Sequence, residues 1–128
     1  MVSGIEKAPY SAGSQAIGWG VFLGSGYVAS VLLNSTWTVC EIGVNASANL
    51  LDLVVASTTM AAVSTSVWWL MRGLTGRRGL LLPLLLTIPV CAVLLWPLMA
   101  IWHAPDGYPV SHCPPDNVPP WWPDRLPL

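Results

Sequence analysis

Between Leu80 and Trp102 the chain runs 23 residues without a charge. As a helix rising roughly 1.5 Å per residue that is about 34 Å, enough to cross a hydrocarbon layer about 30 Å thick. Such a layer offers no water, so each backbone N–H and C=O inside it needs a partner from the protein. Three prolines, Pro83, Pro89 and Pro97, interrupt the run. Each removes a donor and frees the carbonyl four residues earlier, so kinks are expected near Pro89 and Pro97, with Thr87 helping locally.

Two more stretches read the same way. The second covers about Leu50 to Met71, with Asp52 as its one charge. Its middle carries Ser57, Thr58, Thr59, Ser64, Thr65 and Ser66, residues that favour close helix packing and cross-helix hydrogen bonds over lipid contact. Trp68, Trp69 and Arg72 close it in the manner of an interfacial belt. The first stretch, Gln15 to Leu33, is barely long enough and contains Gly18, Gly20, Gly24 and Gly26. Gly20 to Gly24 is a literal GxxxG, and Gly26 to Ser30 continues the small-residue spacing. Gly20 and Gly24 are therefore expected to be helix-packing residues, facing either a partner span or the protein's own helices.

Composition supports a membrane class. Charged residues make up 9% of the chain and hydrophobic ones 54%, against about 25% charged in average soluble chains. A net charge of −1 excludes the basic footprint of a nucleic-acid binder. Twelve Pro and eleven Gly do not make the chain disordered, because disorder requires low hydrophobicity. The fold expectation is an all-α membrane protein with three transmembrane helices at 15–33, 50–71 and 80–102. Around them lie a cytoplasmic segment 1–14, an extracytoplasmic loop 34–49, a cytoplasmic loop 72–79 and an extracytoplasmic proline-rich tail 103–128.

Orientation follows from Arg72, Arg77 and Arg78, which gather between the second and third spans, because positive residues stay cytoplasmic. Lys7 and the N-terminal segment then lie inside. Glu41, Asp106, Asp116 and Asp124 lie outside, with Arg125 the basic exception. Ala46-Ser47-Ala48 looks like a signal-peptidase site, but the apolar run before it ends near residue 33, too far upstream. Four Arg against one Lys, with many Ala, Gly and Pro, lean toward a GC-rich bacterium and its inner membrane. In that setting the sequons at Asn34 and Asn45 carry no meaning; in a eukaryotic secretory pathway both would sit in the outer loop.

The outer face holds most of the distinctive residues. Cys40 and Cys113 fall there and are expected to form a disulfide, whereas Cys91 lies within the third span as a small apolar residue. Eight of the 26 tail residues are proline, which excludes regular helix. Trp121 and Trp122 stand on this tail and are expected to be seated on the bilayer interface, the protein's own loop or a partner's groove. His103, His112, Cys40, Cys113 and Met99 have donor chemistry suited to copper or zinc, but no CxxC or HxxH spacing, and a disulfide removes the thiolates. Asp52 is a candidate ion-pathway carboxylate; its alternative is a helix-start charge beside Asn49 as N-cap.

No GxSxG, HExxH, P-loop or CxxC is present, and no repeat. The expectation is a non-enzymatic accessory or assembly subunit without cofactor, partnered by the lipid bilayer and by other membrane subunits or by itself. Its rivals are a small transporter or channel protomer using Asp52, and an extracytoplasmic metal or redox module.

Overall fold

The computed structural model describes residues 11–42, 46–76, 79–104 and 113–128. Among them the chain is all-helical and contains no strand. Helix α1 is Ala12–Val39, α2 is Ala46–Thr75 and α3 is Leu81–Trp102. Each is long and apolar enough to cross a membrane.

All three elements form around the expected apolar runs, and the first two extend well past them. Helix α1 opens on Ser11, whose Oγ accepts the Ser14 N–H at 3.2 Å, a Ser N-cap of the usual kind. It continues through Ser35-Thr36-Trp37-Thr38, where two hydroxyls fold back on the helix. Thr36 Oγ1 donates to the Leu32 carbonyl at 2.9 Å and Thr38 Oγ1 to that of Asn34 at 2.7 Å. These bonds leave neither hydroxyl without a partner on the polar stretch. The expected loop 34–49 therefore shrinks to the residues between Val39 and Ala46. Asn34 lies on α1, exposed to the surroundings, and Asn45 is outside the described residues.

The early start of α2 corrects the reading of its first turn. Asn49 is not an N-cap: it lies inside the helix, and its Nδ2 donates to the Ile42 carbonyl at 3.1 Å, pinning the short connection. Asp52 falls in the second turn, half-buried, with no hydrogen bond or ion pair among the described residues. At the other end Gly76, with φ +61°, turns the chain out of α2 in the left-handed conformation that glycine permits.

Helix α2 is the middle of the bundle. It packs along both neighbours, while α1 and α3 scarcely meet. Close approach of α1 to α2 rests on Gly18 and Gly26. A Cβ on Gly18 would lie 3.1 Å from the Trp69 ring and 3.3 Å from that of Trp68; one on Gly26 would lie 3.4 Å from the Ala61 Cβ. Ser30 and Ser57 join the two helices through their hydroxyls at 2.6 Å. Gly20 and Gly24, expected to pack helices, have nothing within 4 Å of an added Cβ inside this chain. The reason is angular. Two residues along a helix is about 200° around it, so the GxxxG pair faces away from the stripe that meets α2.

The end of the bundle opposite the disulfide is closed by polar groups. Buried Trp68 donates through Nε1 to the Ser14 carbonyl at 3.1 Å, and Arg72 Nε donates to Ser14 Oγ at 2.9 Å. The Arg72 guanidinium also donates to the carbonyls of Gly76 and Gly79. Pro83 stands in the first turn of α3, where a missing N–H costs the helix no bond. Thr87 serves the Pro83 carbonyl at 2.7 Å rather than those freed by Pro89 and Pro97.

Gly18→Val should destabilise the isolated protein by about 1–3 kcal/mol, the usual cost of overpacking a closed contact. Gly20→Val and Gly24→Val should stay within about 0.5 kcal/mol, as open positions do. Thermal unfolding of the three variants in mild detergent separates the two classes.

Candidate functional site

The most built-up region lies beyond the Val39 end of α1 and the Trp102 end of α3, where residues 113–128 fold into a cap. Cys40, at the end of α1, and Cys113 lie at disulfide-bonding distance, with S–S 2.15 Å and Cα–Cα 5.2 Å. Both cysteines are buried in one apolar cluster with Leu33, Trp37, Met60 and Met99. Trp122 and Leu128 pack against the same cluster, so the cap is continuous with the core between the helices.

Polar contacts fix its register. His103, directly after α3, is buried between two carbonyls: Nδ1 lies 2.9 Å from the Met99 oxygen and Nε2 lies 3.2 Å from that of Asp116. Both oxygens only accept, so a neutral ring serves one of them and an imidazolium serves both. Trp37 Nε1 donates to the Trp102 carbonyl at 3.2 Å, joining the ends of α1 and α3. Trp96 Nε1 donates to the Pro127 carbonyl at 2.7 Å, holding the last residues along α3. Within the cap, Trp122 N–H donates to the Pro119 carbonyl and Leu126 N–H to that of Pro123, each at 3.0 Å. Asn117, at φ +57°, takes the tight turn that a short polar side chain tolerates.

These contacts place the sequence-derived candidates. Cys40 and Cys113 are brought together. Trp122 is seated on the protein itself, half-buried, with Nε1 donating to the Leu126 carbonyl at 2.7 Å. Trp121 stands edge-to-face on it, ring centroids 6.1 Å apart, and remains 40% exposed. With their sulfurs bonded, Cys40 and Cys113 are not thiolate ligands, and His112 lies outside the described residues. Among the described residues no group of three His, Cys, Asp or Glu side chains is gathered for a metal.

Gly20 and Gly24 line a second feature, an open apolar groove of about 270 Å³ between α1 and α3. Val28, Met60, Thr87 and Cys91 also border it. The groove exists because α1 and α3 lean on α2 rather than on each other. Sequence reasoning did not find the tasks of Trp37, Trp96 and Arg72. The available signal was chemical: indole and guanidinium groups are donors only, and this chain has many freed or terminal carbonyls to receive them.

Cys113→Ser should lower stability by about 2–4 kcal/mol, as loss of a long-loop disulfide does. Trp96→Phe, which removes one indole donor, should cost about 1 kcal/mol. Thermal unfolding in detergent, with and without reductant, tests both, and reductant should shift the parent protein but not Cys113→Ser.

Compared with known protein families, curated proteins and solved structures, the chain shows no match.

Proposed function

We propose that this protein is a non-enzymatic accessory or assembly subunit that joins a membrane complex, or copies of itself, through its helix faces. The observation that carries the reading is the open groove between α1 and α3, into which Gly20 and Gly24 turn with nothing near them. Small residues in a span let a second helix approach closely, and lipid association gains little from bare glycine. Exposed Trp121, held up by a seated Trp122, offers a further contact beyond the helix ends. The cap would then stand in an oxidising outer compartment of a bacterial cell membrane. Two independent features support that placement: a cysteine pair at one end of the bundle, and Arg72, Arg77 and Arg78 gathered in the sequence between α2 and α3.

Purification in mild detergent from native membranes should yield either a copurifying membrane protein or an oligomeric mass. Gly20→Leu with Gly24→Leu should release it while leaving the monomer folded. A monodisperse monomer with nothing bound would overturn the reading.

A further inference from the structure

Most hydroxyls within the spans already have a partner. Thr59, Thr65 and Ser66 of α2 donate to carbonyls of their own helix, and Ser30 and Ser57 bond across the α1–α2 seam. Tyr27 and Thr58 differ. Tyr27 is 71% exposed and Thr58 is exposed too, and both border an open groove of about 250 Å³ between α1 and α2. Neither hydroxyl has a hydrogen bond among the described residues.

Threonine can fold its hydroxyl onto the carbonyl one turn earlier, as Thr59 does. Tyrosine has no such recourse, because its ring holds the hydroxyl away from the backbone. Tyr27 stands three residues past Gly24, the middle of the apolar run 15–33, which is about 4.5 Å along the axis. Tyrosine normally sits at the membrane surface, where water and headgroups serve it. Neither reaches this depth, and an unserved hydroxyl in hydrocarbon is costly. Its partner has to come from a neighbouring protein.

The same face supplies one. A Cβ on Gly26 would lie 3.4 Å from both the Ser57 carbonyl oxygen and the Ala61 Cβ, and one on Gly18 would lie 3.1 Å from the Trp69 ring. Those contacts fix the level of α1 on α2. Tyr27 shares a depth with Thr58 to within a turn, Leu23 with Ala62, and Trp19 with Thr65, the last two bordering one pocket. The α1 side of this face is large: Trp19, Leu23 and Tyr27 are 65%, 66% and 71% exposed. At the same depths the α2 side is small, with Thr65, Ala62 and Thr58. A two-fold axis along the membrane normal keeps every depth and sets α1 of one copy against α2 of the other. Large residues then meet small ones, and Tyr27 meets Thr58 twice over. We infer that the α1–α2 face is the interface of a homodimer, in which the Tyr27 hydroxyl of each copy bonds the Thr58 hydroxyl of the other. This interface goes beyond the groove at Gly20 and Gly24, which lies between α1 and α3 and stays free for another subunit.

The test uses the full chain in native membranes or bilayer nanodiscs, with Cys91→Ala and the Cys40–Cys113 pair retained. Differently tagged copies carrying Leu23→Cys and Ala62→Cys are co-expressed and oxidised with copper phenanthroline. They should give a cross-linked dimer, whereas Val93→Cys with Ala62→Cys should not. Tyr27→Phe removes the hydroxyl alone and should weaken dimerisation about tenfold, read by fluorescence transfer between labelled copies. Thr58→Val should do the same, and the two together should do no more than either, because each removes the same bonds. The thermal midpoint of the monomer should hold in all three. Absence of the Leu23–Ala62 cross-link, or dimerisation indifferent to Tyr27→Phe, overturns the inference, and so does a double variant whose loss is the sum of the two. Gly20→Leu with Gly24→Leu should leave this dimer intact. If that variant dissolves the dimer, the interface is the α1–α3 groove, and the inference falls while the reading above stands. If it releases nothing while the dimer persists, the groove reading falls and this interface stands.

Discussion

The demand of the backbone for hydrogen-bond partners in a medium without water governs most of this structure. Helices meet that demand along their length but not at their ends or at proline, and the side chains with conspicuous roles are the ones that fill those gaps. Ser11 serves the start of α1, Arg72 the carbonyls between α2 and α3, and Trp37 the end of α3, while His103 stands between the Met99 and Asp116 carbonyls. The tryptophan surplus is explained in part by the same need. Trp37, Trp68, Trp96 and Trp122 each give an indole N–H to a backbone carbonyl while burying or shielding a large apolar ring.

How the helices sit on one another follows from where small residues allow contact. Gly18 and Gly26 draw α1 onto α2, and the Ser30–Ser57 pair closes the seam between them. Helix α3, richest in leucine and proline, packs mainly on α2, which leaves two outward faces of different chemistry. One is bare glycine opposite Thr87 and Cys91; the other is a shallow groove bordered by Thr59, Pro97 and Leu98. A bundle built this way is finished at its cap end and open along its sides.

Much of this was legible from residue order alone. Depth in a membrane is written in hydropathy, so the three spans were readable, and so was the pairing of the two cysteines that lie beyond them. Azimuth is not written there. With apolar residues on every side of each helix, periodicity does not say which side turns inward, so the contact fell on Gly18 and Gly26 while the more conspicuous Gly20–Gly24 pair faced out. Helix ends were misjudged for another reason: Thr36 and Thr38 satisfy their own backbone, and α2 begins before its apolar run does. The seating of Trp122 depended on the cap folding back onto the core cluster of Leu33, Trp37 and Met99, which local pattern does not show.

The link between Cys40 and Cys113 spans 73 residues of sequence, and both α2 and α3 lie within that interval. The two helices thus belong to a covalent ring closed by sulfur, with α1 and the cap as its two free arms. A single peptide-bond break anywhere between Cys40 and Cys113 opens the ring without dividing the molecule. Both pieces remain tethered at the cap end. One backbone nick between α2 and α3 therefore leaves the two parts covalently joined.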